Sequence, residues 1–429
     1  MQTRLSSTND RCLIMLTKQY PFGAGESFIE NEINFLARGF QMVYLFPTEV
    51  ARGEEQTREV PANVKVAPIF SGNDGGSWRR HMRYGLKALP HIADAQLRKE
   101  YKNCTGVKQA AAAMYVEGVS RFIYQQIIQY IDKLSLAEYR AITVYSYWLI
   151  DIARVGFMVK NHILALAPHA TVRAISRGHR YDLYAYRNAL GYLPFQGEII
   201  EKLDGVYPCS EDGTQYLKGI YKHQADKVRT AYLGTQDHGL GSWEGERACW
   251  RMVTCSSLVA IKQVALVAQA LAKLEQKGLS GIVWECFGDG PLREEIERYV
   301  KDNVHQNSVI FHGAVPNKKV MAFYKRNVVQ VFINTSQSEG LPVSIMEAQS
   351  FGIPVLATKV GGVGEIIIDG ENGYLMPAKI GADEVAQYIE RLYRLNEEAY
   401  RAMRTRAREI WLEKFNMEKN YPDFVEEIS

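Results

Sequence analysis

The chain has 429 residues, with 51 Lys+Arg against 48 Asp+Glu, a formal net charge of +3, 47% hydrophobic and 23% charged residues. That length predicts two domains, and so ordinary a composition excludes long disordered tracts. The small positive charge gives no support to nucleic-acid binding, and six scattered cysteines (12, 104, 209, 249, 255 and 286) without a C-x-x-C pair point to free thiols instead of a zinc site or a disulfide framework.

The first apolar run, residues 12–16, is too short for a secretory signal core. No run approaches the roughly 20 residues of a spanning helix, so the expectation is a cytoplasmic protein, free or against the inner face of the membrane. Residues 11–17 read as a first strand. Tyr20-Pro21-Phe22-Gly23-Ala24-Gly25 forms a turn, and from Glu26 the residues Phe28, Ile29, Ile33 and Leu36 recur at helical spacing until Gly39. Residues 41–46 are the next strand. Strand, glycine loop, helix and strand open a doubly wound α/β domain, whose ligands bind at the carboxyl ends of strands.

Residues 76–102 set Arg79, Arg80, Arg83, Lys87, Arg98, Lys99 and Lys102 among Trp78, Met82, Tyr84, Leu86 and Leu89. Two readings stay open here: a solvated helical face, or an interfacial patch that attracts anionic lipid. A strand at 141–145 follows, with Tyr147, Trp148 and a helix to about residue 160. The strand at 171–176 delivers Arg177, Gly178, His179, Arg180, Tyr181 and Asp182 to its carboxyl end. Residues 205–209 form a further strand, and Ser210 caps the helix that holds Tyr216 and Leu217.

Glycines 239, 241 and 245 mark residues 235–246 as a linker. A second α/β series begins there: a strand at 252–255, a helix at 262–274, a strand at 282–287 ending in Gly288-Asp289-Gly290-Pro291, a short strand at 309–311, and an apolar strand at 328–333. The helical tail, residues 397–424, is longer than the second domain needs. The expected division is therefore 1–235, 246–405, and a C-terminal helix at 406–429 that crosses back to the first domain.

The stretch after residue 333 organises the second half. Pro342 suits the first turn of a helix, and Gly352 and Pro354 stop it. Glu339 falls at the helix mouth, and Glu347 about five residues in, roughly 7.5 Å along the axis. The N–H groups of Gly340, Leu341 and Val343 are placed to hold phosphate. Lys262, at a strand–helix junction, is placed to neutralise a departing diphosphate. Glu339 suits sugar hydroxyls, and the deeper carboxylate suits two ribose hydroxyls. The sequence holds no G-x-x-x-x-G-K-[ST], no G-x-S-x-G and no Asp-x-Asp, and the G-x-G triplets beginning at 23, 288 and 362, like the one at 239, lack the third glycine.

The run S-E-G-L-P-V-S-I-M-E-A-Q-S-F-G-I-P-V at 338–355, then V-G-G-V-G-E-I-I-I-D-G-E-N-G-Y-L at 360–375, resembles the donor-site signature of family 4 glycosyltransferases. The resemblance extends to residues 258–262, 287–292 and 309–313. More thinly, it reaches residues 21–36 and the loop from His179 to Asp182. It implies a GT-B fold of two Rossmann-like domains facing a central cleft, and a retaining, metal-independent hexosyltransferase with no cofactor. The donor would be a UDP or GDP sugar, and the acceptor a saccharide or lipid-linked saccharide of surface-polysaccharide or glycoconjugate synthesis. It assigns Glu347 to the ribose, Gly340 to Val343 to the phosphates, Glu339 to the donor sugar, Lys262 to the diphosphate and His179 to the reacting sugar. Gly25 and Gly288 join the donor contacts. Glu26, Arg177, Arg180, Asp182 and Ser257 are candidate phosphate or acceptor contacts. Two departures stand out: Ser257 replaces an arginine, and Arg180 replaces the glycine after the loop histidine. An epimerase, a glucan phosphorylase of the same fold and a non-catalytic sugar-nucleotide-binding subunit remain alternatives.

Overall fold

In the computed structural model the described residues are 10–23, 25, 26, 28–70, 84–91, 94–242 and 249–429. Trp78, Arg79, Arg80, Met82 and Arg83 of the basic segment, Gly245 of the expected linker and Ala24 of the glycine loop lie outside them. The chain divides into two compact units, Met1–Ala231 with Tyr421–Ser429, and Tyr232–Asn420.

The first unit is built on β1 (Arg11–Thr17), β2 (Met42–Pro47), β3 (Val64–Val66), β4 (Ala141–Ser146), β5 (Thr171–Gly178) and β6 (Gly205–Pro208), in spatial order β3-β2-β1-β4-β5-β6. Its strand pairs are parallel. Leu13, Ile14, Met15 and Leu16 on β1 are fully buried, as are Ile142 and Val144 on β4. That is why β1 reads as an unbroken apolar run from Cys12 to Leu16, since a parallel sheet is covered on both faces. The turn to the first helix, Ile29–Gly39, follows β1.

The second unit repeats the plan with β7 (Trp250–Cys255), β8 (Ile282–Phe287), β9 (Ser308–Gly313), β10 (Val331–Asn334), β11 (Val355–Thr358) and β12 (Gly373–Met376), in order β12-β11-β10-β7-β8-β9. Numbered within each unit, both sheets run 3-2-1-4-5-6, the doubly wound order. The direction of winding reverses between the first and fourth strands, so the ligand crevice opens at the carboxyl ends of that pair. The pairs concerned are β1 with β4, and β7 with β10.

Two element starts move by three residues each. The helix expected at 262–274 starts at Ala265, because Ala260–Lys262 is a 3₁₀ turn closed by Gln263 at φ 48°. The strand expected at 328–333 is Val331–Asn334. The tail is two helices, Glu397–Lys414 and Met417–Ile428. They part where Thr235 inserts its backbone, donating to the Phe415 carbonyl and accepting from Met417 N–H. The last residues pack on the first unit: Thr143 Oγ1 donates to the Ile428 carbonyl at 2.7 Å, and the Arg177 guanidinium lies 4.0 Å over the Phe424 ring.

Candidate functional site

In the second unit, the switch point brings together the loop after β7 and the loop after β10. The Thr335 hydroxyl donates to the carbonyls of Lys262 (3.1 Å) and Gln263 (3.0 Å), and Gln337 N–H donates to the Ile261 carbonyl (2.8 Å). So stitched, the loops set the Lys262 Nζ 2.6 Å from Glu339 Oε1. Asn334, the last residue of β10, donates its amide to the same oxygen at 3.2 Å. Glu339 is 5% exposed. A buried carboxylate needs such partners, because its desolvation is otherwise uncompensated.

Two glycines let neighbouring backbone close on these loops. A Cβ on Gly361 (φ 54°) would stand 2.1 Å from the Glu339 carbonyl oxygen, and Gly362 N–H donates to the Gly340 carbonyl. A Cβ on Gly288 (φ 127°) would stand 1.9 Å from the Ser256 carbonyl oxygen. Ser257 is exposed beside it.

Helix Val343–Ser350 follows with Pro342 at its N-cap. Gly340 and Val343 are half-buried at this end and Leu341 is buried. The opening N–H groups of a helix have no partner within it, and its dipole favours anions there. Glu347 is the fifth residue of the helix. It is half-buried, and Asn317 Nδ2 donates to its Oε1 at 2.8 Å. Burial pushes its carboxyl up to about 7, against the opposing effect of Asn317.

The carboxyl end of the first sheet carries the histidine loop. Asp182, fully buried, accepts backbone N–H groups from Leu149, His179 and Arg180, each at 2.9 Å, and so ties the loop after β4 to the loop after β5. Burial still outweighs those bonds and raises its carboxyl to about 6. His179 stacks on Tyr147 with 4.7 Å between ring centroids and lies 4.7 Å from Trp148. Its Nε2 is 3.1 Å from the Tyr147 carbonyl, which can only accept, so Nε2 carries the proton. Burial first, then the Arg177 charge, lowers its pKa to about 3. The imidazole is therefore neutral at neutral pH.

Three candidates from the sequence hold the scaffold. Glu26, at φ 55°, accepts the backbone N–H groups of Lys18, Gln19 and Tyr20 and the Trp148 indole N–H. Its carboxylate is spent on the turn after β1. Arg177 is 0% exposed; it faces Glu32 at 3.3 Å and donates to the Tyr145 hydroxyl and the Ala231 carbonyl, so a phosphate has no access to it. Gly25 is exposed, its carbonyl taken by Arg58 at 2.6 Å. Arg180 is half-exposed on the histidine loop. Sequence reasoning did not single out Asn334 or Asn317, which orient the two acids. The signal for Asn334 was its place at the end of an apolar strand; Asn317, at the start of helix Asn317–Arg326, left none.

Residues 250–410 match the family model described as "Glycosyl transferases group 1". Among curated relatives, the N-acetyl-alpha-D-glucosaminyl L-malate synthase of Bacillus anthracis is 31% identical over 39% of this chain and 42% of its own length. The putative colanic acid biosynthesis glycosyltransferase WcaL of Salmonella typhimurium is 25% identical over 56% of this chain and 60% of its own. The chain thus spans about half the length of the curated relatives it matches. Among solved structures, the sucrose-phosphate synthase of Thermosynechococcus elongatus superposes with TM-score 0.69 at 15% identity, covering 97% of this chain and 98% of that one. Anabaena Alr3699/HepE, in complex with UDP and glucose, superposes with TM-score 0.63 at 16% identity, covering 97% and 99%. At such identities the likeness is one of fold. The chain has the GT-B fold, and residues 250–410 of its second unit are similar to group 1 glycosyl transferases.

Proposed function

We propose that this chain is a retaining glycosyltransferase that moves a sugar from a nucleoside-diphosphate sugar to an acceptor in polysaccharide or glycoconjugate synthesis. The observation that carries the reading is the Lys262–Glu339 pair at the mouth of helix Val343–Ser350, with Glu347 one turn further in. One ligand satisfies all three. Its diphosphate takes the Lys262 ammonium and the helix-end N–H groups. The sugar hydroxyls donate to Glu339, and the ribose hydroxyls donate to Glu347. Relatives named for sugar transfer, and a neighbour of this fold with UDP and glucose bound, support that reading.

In the proposed reaction the bond between the anomeric carbon and the diphosphate oxygen breaks. A new bond to the acceptor oxygen forms on the same face, and the acceptor proton passes to the leaving diphosphate. The protein's share is orientation and charge stabilisation, with Lys262 and backbone dipoles serving the leaving group without a metal. The first unit takes the acceptor, where neutral His179 is a hydrogen-bonding group and not a cation.

Incubation with UDP- and GDP-sugars, with and without saccharide acceptors, tests the reading. NMR of the product is expected to show the donor's anomeric configuration retained. Conversion of donor without acceptor, or phosphate-dependent cleavage of a glucan, would replace it by the epimerase or phosphorylase alternatives.

The proposed setting is the cytoplasmic face of an anionic membrane. No described helix is long and apolar enough to cross one. Exposed Arg98 and Lys102 lie on helix Ala95–Asn103, and Leu86 and Val107, 57% and 86% exposed, flank it in sequence. Sedimentation with liposomes that shows no preference for anionic lipid contradicts this setting.

A further inference from the structure

The first unit has a switch point of its own, between β1 and β4, and the groups there form a second polar cluster. The Lys18 ammonium, just past β1, lies 2.8 Å from both oxygens of Asp151 and 2.9 Å from Glu49 Oε1. Asp151 opens the helix Asp151–Leu166 after β4, and Glu49 follows β2. Side-chain exposures of 13%, 11% and 30% leave Lys18 and Asp151 mostly buried and Glu49 the open edge of the triad.

Beside the triad is an aromatic shelf. The Trp148 indole N–H and the Lys18 backbone N–H share Glu26 Oε1, at 2.6 and 3.0 Å, which locks the indole next to the triad. Tyr181 covers the indole, its centroid 4.8 Å away at an interplanar angle of 36°. Tyr181 as a residue is 51% exposed, with one side of its ring against the indole.

We infer that this cluster is a saccharide subsite: the open face of Tyr181 takes the C–H face of a neutral pyranose, and Asp151, Glu49 and Lys18 take its hydroxyls. The inference rests on the proposed transfer reaction and names the acceptor class for it. Pyranoses present an apolar face and a rim of hydroxyls, and a held aromatic ring beside fixed charged acceptors and donors matches both parts. Charge decides against an anionic acceptor. Lys18 is already neutralised by two carboxylates, so a phosphate or uronate would meet Glu49 and Asp151 with no cation to spare in the triad.

Saturation-transfer NMR on the full chain tests this, with cellobiose, maltose and lactose against glucuronic acid and glucose 6-phosphate. The neutral sugars are expected to receive transfer. Tyr181→Ala should weaken their binding about tenfold, the worth of one stacked aromatic face, and Tyr181→Phe should retain it. An unchanged melting temperature is expected for both variants, since the ring is half-exposed. Binding of the anionic sugars alone, equal binding in Tyr181→Ala, or no response from any sugar would overturn the subsite. Calorimetry of UDP and GDP on the same samples separates the two readings. If neither nucleotide binds while the sugars respond to Tyr181, the donor reading fails and the subsite stands; nucleotide binding with sugars indifferent to Tyr181 gives the reverse.

Discussion

The Lys262 ammonium lies 2.6 Å from the Glu339 carboxylate across 77 positions of sequence. Each side chain neutralises the other where a diphosphate sugar is proposed to bind, so both charges are held in place before the ligand arrives. Such preorganisation is what makes fixed charges effective at a reacting centre.

Breaking that pair should couple the two positions. Lys262→Met leaves the Glu339 carboxylate without its ammonium at 5% exposure, and Glu339→Gln leaves the ammonium alone. In urea unfolding, the double mutant is expected to recover about 1–3 kcal/mol relative to the sum of the single variants. Additive losses would show that the contact contributes nothing.

Glu347 carries a pH signature. Its carboxyl is raised to about 7, chiefly by burial, whereas an unfolded glutamate titrates near 4.3. The unfolded chain therefore releases this proton first. The stability tied to it is complete below about pH 4, falls as pH rises, and is gone above about pH 7. Glu347→Gln should raise the melting temperature near pH 8, by about 1–3 kcal/mol in stability, and leave it unchanged near pH 4. Nucleotide affinity should run the other way. Ribose hydroxyls donate to the ionised form, so wild-type affinity should rise between about pH 6 and 8, and Glu347→Gln should flatten that rise. Calorimetry at the two pH values checks both signs.

His179 should not titrate in the ordinary range. With its pKa lowered to about 3 by burial and by Arg177, the folded state keeps a neutral ring. Stability tied to it is complete above about pH 6.5 and is lost as pH falls toward 3. In ¹³C-labelled protein, the His179 ring resonance, assigned by its loss in His179→Asn, is expected to stay fixed between about pH 5 and 8. A midpoint near 6.5 would mean that the ring is not enclosed by Tyr147 and Trp148.

Glu26→Gln should destabilise the first unit without touching the second. The carboxylate accepts four N–H groups, and an amide turns one of its acceptors into a donor that opposes them. A loss of about 2–4 kcal/mol, with a shift of tryptophan emission as Trp148 is released, is the expected result. A variant as stable as wild type would show that the turn after β1 holds itself.

Much of this was legible from residues alone. β1 and β8 were read end to end, because a strand buried on both faces is apolar at most of its positions. The helix carrying Glu347 was legible because Pro342 and Gly352 punctuate it. What stayed hidden depends on partners distant in sequence. Arg177 looked like a phosphate ligand because it ends a strand; its burial follows from Glu32 and Phe424, which only folding brings to it. Glu26 looked like a helix-start acid, and its nest of N–H groups exists only once the turn has formed. The pairing of Lys262 with Glu339 required the 3₁₀ turn at Ala260–Lys262, which a helical pattern conceals.

Calorimetric titration of UDP and GDP into wild-type protein, Lys262→Ala and Glu347→Ala tests the central claim most directly. The account predicts that one nucleotide binds the wild type and that each variant loses affinity by about tenfold or more, the worth of one charge-assisted hydrogen bond. No binding of either nucleotide, or an affinity unchanged in Glu347→Ala, would contradict it.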